Sequence, residues 1–177
     1  MVTGSCFEYG TAAERYKNIP SNAPLEPIDV YSSTKAAASL ILRAWAIEKN
    51  VKYHHMRLFQ VYGEGEANYR LLPSLIEAAK NDLDFEMTNG EQIRDFIDVK
   101  EVSKIILENL CDESIEFGKP KFSNIGTGKP TTVLSFCEKL WSQLNAKSKL
   151  LPGKIKYRSD EIMRLVAEIE TNKVMEN

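Results

Sequence analysis

Three residues near the start of the chain, Ser5, Tyr31 and Lys35, carry side chains that together can move a proton. Tyr31 and Lys35 are four positions apart, so on a helix both side chains lie on one face and point back towards the loop that carries Ser5. A phenol with a reference pKa of about 10 is a poor base at neutral pH, but an adjacent ammonium and the positive end of a helix dipole favour its phenolate form. A serine hydroxyl within reach can hold a substrate oxygen or relay its proton. These residue types therefore predict a proton-transfer site.

The elements that must position these residues alternate between strand and helix patterns. Strands are predicted at 1–6, 51–59, 85–88, 94–97 and 121–125, and helices at 30–49, 71–80, 99–110, 131–144 and 161–173. A long loop with several prolines separates the first strand from the first helix, and loops of that length inside a compact domain tend to be functional. The alternation predicts an α/β fold built on a parallel sheet.

The first helix and the first strand indicate that part of the fold is missing. The helix at 30–49 is apolar on most sides, which predicts burial on more than one face. No βα unit precedes the first strand, so the strand has no neighbour on one side and the helix has no obvious cover. We therefore expect a partial, doubly wound, Rossmann-like sheet whose N-terminal βαβ half is missing. The expected division is a Rossmann-like part at 1–65 with the catalytic helix, and a mostly substrate-binding lobe at 66–177 with interleaved βα elements.

The context of the Tyr-x-x-x-Lys spacing makes it more specific than it is alone. Seven tyrosines and sixteen lysines make a chance match common. Here, however, Ser5 opens a Ser-x-x-x-Tyr-Gly pattern, and ordered motifs continue downstream: Arg57-Leu58-Phe59-Gln60-Val61-Tyr62-Gly63, then Asn89 to Ile97, then Asn124 to Gly128. In this order they resemble the extended short-chain dehydrogenases/reductases of the NAD-dependent epimerase/dehydratase family.

The resemblance implies roles for four residues around a nicotinamide cofactor. Ser5 would orient a sugar hydroxyl or keto group, and Tyr31 would be the acid/base. Lys35 would lower the pKa of that tyrosine and hydrogen-bond the nicotinamide ribose. Tyr31, Lys35 and Phe59 would therefore contact NAD or NADP.

Two more residues are implied to bind a nucleoside-diphosphate sugar. Gln60 stands where the family usually has an Asn that contacts the sugar nucleotide, and its longer arm changes the fit to any particular sugar. Arg94 matches an Arg that pairs with the diphosphate. Arg94 follows a glycine turn and its neighbouring acid, Asp95, should face the other side of the sheet, which predicts a guanidinium free to bind phosphate.

Two departures from the family pattern narrow the chemistry. The 4,6-dehydratases of the family typically carry an Asp-Glu pair directly after the hydroxyl residue, and Cys6 and Phe7 stand there instead. This disfavours such a dehydratase and leaves an epimerase or a ketoreductase. The Gly-x-x-Gly-x-x-Gly turn that would hold the cofactor pyrophosphate is absent from the sequence, and Gly126-Thr127-Gly128 does not have the spacing of a phosphate loop. NAD or NADP is therefore implied by the resemblance alone.

Composition excludes several other classes of protein. The chain has 177 residues, 43% of them hydrophobic, and a formal net charge of -2, so it can bury a core but lacks the positive field of a protein that binds nucleic acid or a membrane surface. Three scattered cysteines predict neither a disulfide framework nor a zinc site. The adjacent His54 and His55 would face opposite sides of a strand, which favours packing over metal ligation. We expect a cytoplasmic protein with a small-molecule substrate and no metal.

Two functional hypotheses follow. The first is an NAD(P)-dependent epimerase or ketoreductase that transfers hydride at a carbon of a nucleoside-diphosphate sugar, represented by a truncated chain. The second is a catalytically silent fragment, or a partner chain that needs a separately encoded cofactor-binding half. A homodimer or that complementing half is the expected protein partner.

Overall fold

The computed structural model describes residues 1–110 and 112–169 and has an α/β fold with parallel sheets, which confirms the predicted class. The strands are β1 (Val2–Ser5), β2 (His54–Leu58), β3 (Gln60–Tyr62), β4 (Phe85–Glu86), β5 (Ile93–Arg94), β6 (Phe96–Asp98), β7 (Lys121–Ile125), β8 (Thr131–Thr132), β9 (Leu150–Leu151) and β10 (Arg164–Leu165). The helices are α1 (Val30–Glu48), α2 (Leu71–Lys80), α3 (Val99–Leu110) and α4 (Val133–Gln143), with two 3-10 helices at Cys6–Tyr9 and Thr11–Arg15.

The main sheet is parallel and has the strand order β1-β2-β7. Ser5 pairs with Leu58, and Leu58 pairs with Ile125, so the last residues of the three strands form one row across the sheet. In open α/β sheets, ligands bind outside the carboxyl ends of the strands. The sheet therefore presents Ser5 at the edge where a site is expected.

Helix α1 packs one stripe of small residues against β1 and the 3-10 helix that follows it. Asp29 caps the helix by accepting a hydrogen bond from the Ser32 N–H at 2.6 Å, a stabilising N-terminal arrangement. The buried stripe consists of Ser32, Ala36, Ser39 and Ala46, whose size allows a close approach to the strand. Leu40, Ile41, Trp45 and Ile47 on the rest of the helix are exposed, so burial on a second face is not seen within the described chain. This agrees with the expectation that the chain provides no cover for that apolar face.

The remaining elements form a smaller lobe around two apolar clusters. Helices α2 and α4 pack together over the buried Leu75, Met87, Cys137 and Trp141. Helix α3 covers a second cluster, Met56, Ile97, Val102 and Ile125, that joins this lobe to the main sheet. Strand β7 belongs to the main sheet, so the two predicted parts of the chain are interleaved; a boundary at residue 65 stays a prediction.

Most predicted elements have the expected positions, and the last one is wrong. The helices at 71–80 and 99–110 and the strand at 121–125 have the predicted bounds. The helix predicted at 161–173 is not formed in its described part, where β10 pairs with β5. The Ile93 N–H donates to Met163 O, and the Ala167 N–H donates to Asp95, so tertiary hydrogen bonds override the helical pattern. Residues 170–173 of that prediction lie outside the described residues.

None of the helices in the described residues is long and apolar enough to cross a bilayer. The same residues contain no group of three or more His, Cys, Asp or Glu side chains that could hold a metal ion.

Candidate active site

Ser5 occupies the point where β1 ends and the 3-10 helix Cys6–Tyr9 begins. Its side chain is buried, and its Oγ accepts a hydrogen bond from the Phe7 N–H at 3.3 Å. A serine hydroxyl has one hydrogen to donate and two lone pairs. Among the described residues this hydroxyl makes hydrogen bonds only as an acceptor, so its hydrogen is available to a substrate oxygen.

Tyr31 and Lys35 lie in the first two turns of α1, at the border of the stripe that packs on β1. Each precedes a buried member of that stripe, Ser32 or Ala36. The Tyr31 side chain is 55% exposed, and in the part of the chain that the structure describes neither its hydroxyl nor the Lys35 ammonium has a protein hydrogen-bond partner. Both polar groups are therefore available to a ligand.

A buried polar network that the sequence reasoning missed lies directly behind Ser5. Glu8 is fully buried, and its Oε1 accepts hydrogen bonds from the Ser5 N–H at 2.8 Å and from His55 Nε2 at 2.9 Å. Arg57 Nε donates to Glu8 Oε2 at 2.8 Å, and Tyr53 OH lies 2.9 Å from His55 Nδ1. The Ser-x-x-Glu spacing of Ser5 and Glu8 is a capping-box signature and was the available sequence signal.

The network continues from Arg57 to the far strand. Arg57 Nη1 donates to Tyr9 OH at 3.1 Å and to Ser21 O at 2.9 Å. Tyr9 OH in turn donates to Asn124 Oδ1 at 2.6 Å. The chain of bonds thus crosses from the turn after β1 through β2 to β7.

The electrostatics of this network keep Glu8 ionised. Burial alone would raise the pKa of the Glu8 carboxyl, but hydrogen bonds from His55, Arg57 and the Ser5 N–H hold that pKa below its usual value. Burial raises the pKa of the Tyr9 hydroxyl, against the opposing effect of Arg57. Glu8 is therefore a buried carboxylate with a cationic partner in Arg57.

Gly4 provides the space for this network. A Cβ atom at position 4 would occupy the same space as Glu8 Oε1 and His55 Nε2. The carboxylate and the imidazole therefore pack directly on the backbone of β1, one residue before Ser5.

The prediction that Arg94 has no acidic partner is wrong. Arg94 Nη2 donates to Glu161 Oε1 at 2.6 Å, and both side chains are largely buried. Arg158, which is mostly exposed, approaches the other oxygen of Glu161 at 3.4 Å. The partner was missed because it lies 67 positions away in a segment predicted to be helical. Two guanidinium groups share one carboxylate, so the cluster keeps a net positive charge.

Phe59 and Gln60 follow β2 at the carboxyl edge of the sheet. Phe59 packs in an apolar cluster with Cys6, Tyr9 and Leu165. The Gln60 N–H donates to Asp95 O, which fixes its backbone, while its half-buried side chain has no hydrogen-bond partner among the described residues. The structure thus leaves the Gln60 amide free and buries the Phe59 ring.

Asp95 organises the loops at the same edge. Its side chain is fully buried and accepts hydrogen bonds from the Thr127 N–H at 2.7 Å, the Gly128 N–H at 2.9 Å and the Ala167 N–H at 3.1 Å. It therefore holds two loops beside the site.

Two known proteins with similar sequences have names that refer to nucleotide sugars. A CDP-abequose synthase from Salmonella muenchen is 32% identical over 114 residues, which are 64% of this chain and 38% of the relative. A dTDP-L-rhamnose 4-epimerase from Burkholderia thailandensis is 26% identical over 132 residues, 72% of this chain and 36% of the relative. The matched segments thus cover well under half the length of these two relatives.

The fold and the family agree with these similarities. A UDP-N-acetylglucosamine 4-epimerase from Methanobrevibacter ruminantium has a TM-score of 0.84 at 23% identity, over 94% of this chain and 53% of that structure. The family model described as NAD dependent epimerase/dehydratase matches residues 1–126, which include Ser5, Tyr31, Lys35 and Arg94. The chain therefore belongs to the NAD dependent epimerase/dehydratase family.

Proposed function

We propose that this chain is the catalytic and substrate-binding part of an NAD(P)-dependent enzyme that epimerises or reduces a nucleoside-diphosphate sugar. The observation that carries the proposal is the placement of Ser5 at the carboxyl edge of a parallel sheet, with its hydroxyl hydrogen free, beside a helix whose Tyr31 and Lys35 are unpartnered in the described residues. The names of the relatives, an abequose synthase and two 4-epimerases, support the sugar class.

Each of the three residues has a distinct task in this proposal. Ser5 donates its free hydrogen to the reacting sugar oxygen and holds that oxygen in place. The Tyr31 oxygen takes the proton of the sugar hydroxyl as the alcohol becomes a ketone, and returns it when the ketone is reduced. Lys35, one helical turn further on, stabilises the phenolate through its positive charge.

The residues present fit the nicotinamide end of a dinucleotide. A bound nicotinamide ring would supply the hydride acceptor and donor for the sugar carbon. The free Tyr31 hydroxyl and Lys35 ammonium can hydrogen-bond the ribose next to that ring. Phe59 is proposed to contribute through its position beside the edge, since its ring is buried.

The diphosphate and the sugar are assigned to Arg94, Arg158 and Gln60. Arg94 and Arg158 bring two positive charges to Glu161, so one charge remains for a phosphate oxygen. The free amide of Gln60 follows β2 and is proposed to contact the sugar nucleotide.

Epimerisation or reduction is favoured over dehydration because of the residues after Ser5. Elimination of water needs an additional acid and base, and Cys6 and Phe7 occupy the two positions concerned. Burial raises the pKa of the Cys6 thiol to about 12, which makes it a poor proton donor at neutral pH.

The test is an activity assay of the enzyme that contains this chain together with a cofactor-binding segment. Purified protein is incubated with CDP-, dTDP- and UDP-sugars, and products are separated by chromatography while cofactor reduction is followed by absorbance. Tyr31→Phe should abolish most turnover, whereas Tyr69→Phe, which changes an 86% exposed tyrosine that belongs to neither β1 nor α1, should not. If no nucleotide sugar is converted by the wild type, the proposed function is wrong.

A further inference from the structure

The buried carboxylate of Glu8 makes the only side-chain contact, among the described residues, to the backbone N–H of Ser5. Glu8 Oε1 accepts this bond at 2.8 Å and also accepts from His55 Nε2 at 2.9 Å. Ser5 ends β1, so the orientation of its side chain depends on how sharply the chain turns at this residue. The carboxylate therefore fixes the turn at the residue that would hold the substrate oxygen.

The position of Glu8 is itself set by the neighbouring strand. Its second oxygen accepts from Arg57 Nε at 2.8 Å, and His55 is fixed by Tyr53 OH on its other nitrogen. His55 and Arg57 are both in β2 and are both buried. Since β1 and β2 are held in parallel register, Glu8 links the Ser5 turn to a rigid part of the sheet.

The need for this link follows from what Ser5 lacks. Its hydroxyl is held only by backbone N–H groups of the turn that follows, and the bond from the Phe7 N–H is long at 3.3 Å, which restricts the rotation of the side chain weakly. A catalytic group must be held within about 0.5 Å of its productive position by surrounding contacts. Glu8 supplies the strongest of these contacts, because hydrogen bonds to an ionised acceptor are short and strong.

From this geometry we infer that Glu8 is a positioning residue for Ser5, acting through the Ser5 N–H and held by His55 and Arg57. The inference rests on the proposed function, in which the Ser5 hydroxyl donates to the reacting sugar oxygen. It assigns Glu8 no contact with substrate or cofactor, because its side chain is completely buried behind β1.

A double-mutant cycle in the active enzyme tests the inference. Glu8→Gln removes the charge and brings an NH2 group to Arg57 or His55, which should lower kcat by about 10- to 100-fold while KM changes little. In a Ser5→Ala background the same change should cost almost nothing further, because there is no hydroxyl left to position. If Glu8→Gln lowers kcat by as large a factor in the Ser5→Ala background, the inference is wrong.

Tyr9→Phe is the matched control, since it removes a buried hydroxyl from the same network without touching Ser5. Tyr9→Phe should change kcat by the same factor whether position 5 is Ser or Ala. If Tyr9→Phe behaves like Glu8→Gln, the network acts through the fold in general and not through Ser5.

A second measurement does not depend on activity, so it separates this inference from the proposed function. In the 177-residue chain, the amide proton of Ser5 should resonate at low field because it donates to a carboxylate, and Glu8→Gln should move it upfield while Tyr9→Phe leaves it in place. An unmoved resonance would show that Glu8 does not hold the turn.

If Glu8→Gln does not fold because it leaves Arg57 unpaired, Glu8→Gln combined with Arg57→Met removes both buried charges together. Arg57→Met alone is then the comparison. The amide resonance of Ser5 should shift upfield between the single and the double variant, and identical spectra at this residue would count against the inference.

Discussion

Arg94 and Glu161 form a largely buried ion pair in which Nη2 lies 2.6 Å from Oε1. The pair joins β5 to the turn before β10, two elements that are 67 positions apart in the chain. Arg94 thus has a structural task in addition to the phosphate contact proposed for it. Burial lowers the pKa of its guanidinium, although the charge of Glu161 opposes that effect.

The first prediction separates the two tasks of Arg94. Arg94→Ala should lower the free energy of unfolding by about 3 kcal/mol, because it leaves the largely buried Glu161 carboxylate with only the longer contact to the exposed Arg158. It should also weaken nucleotide-sugar binding. Adding Glu161→Gln should restore most of the stability, measured by urea unfolding, but not the affinity, measured by calorimetry. If both the stability and the affinity recover, Arg94 does not bind the nucleotide sugar.

The second prediction concerns Tyr31. Tyr31→Phe should lower kcat of the active enzyme by about 100-fold, the scale expected for loss of a positioned acid/base. Its thermal stability should stay unchanged, because the hydroxyl has no partner among the described residues and the side chain is 55% exposed. Turnover close to the wild-type value would exclude Tyr31 from proton transfer.

The third prediction is that the 177-residue chain alone binds NADH weakly. Dinucleotide affinity rests mainly on backbone N–H groups of a glycine-rich turn and on an acidic residue at the adenosine ribose, and we expect this chain to supply neither. Tyr31 and Lys35 can contact only the nicotinamide end, and a few hydrogen bonds of about 1 kcal/mol each do not offset the entropy of binding. Fluorescence titration beside a full-length relative is the measurement, and a dissociation constant in the low micromolar range would contradict the prediction.

The fourth prediction is a loss of stability in mild acid through His54. Burial, with a smaller effect of the Lys121 charge, lowers the pKa of this imidazole from 6.5 to about 4. The unfolded chain therefore takes up a proton between those two values that the folded chain does not. The neutral imidazole therefore contributes its full stability above the pKa of the unfolded chain. This stability is lost as the pH falls towards the pKa of the folded chain, at up to about 1.4 kcal/mol per pH unit.

The measurement is urea unfolding at about pH 7 and about pH 5, since the buried Glu8 contributes its own loss only at lower pH. His54→Gln is the control variant, because a Gln amide can still reach Ser123 Oγ, which lies 2.7 Å from His54 Nε2, but cannot titrate. It should lose less stability than the wild type over this interval. Parallel losses in the two proteins would assign the effect to other groups.

Local patterns in the sequence were sufficient for most of the fold. The helices at 71–80 and 99–110 follow from apolar periodicity, and the row of strand ends follows from the βα alternation. The segment after Glu161 was misjudged because its hydrogen bonds come from Ile93 and Asp95, which are about 70 positions away.

In the candidate site, too, local patterns predicted some residues, and contacts between distant segments determine the others. Ser5, Tyr31 and Lys35 could be named from types and spacing, because helical geometry and a strand end are local properties. The partners of Glu8 could not, since His55 and Arg57 meet it only after two strands align in parallel. The partner of Arg94 was missed for the same reason.

The contact of Glu8 and His55 with the backbone of Gly4 restricts how this sequence can vary. Any side chain at position 4 would have to displace the carboxylate or the imidazole, so Gly4 cannot change unless Glu8 and His55 move or change with it. We expect relatives with a larger residue at position 4 to have lost the acid and the histidine together. Natural variation at position 4 should therefore be accompanied by changes at positions 8 and 55, and an engineered Gly4→Ala should be tolerated better once Glu8 and His55 have been replaced by smaller apolar residues.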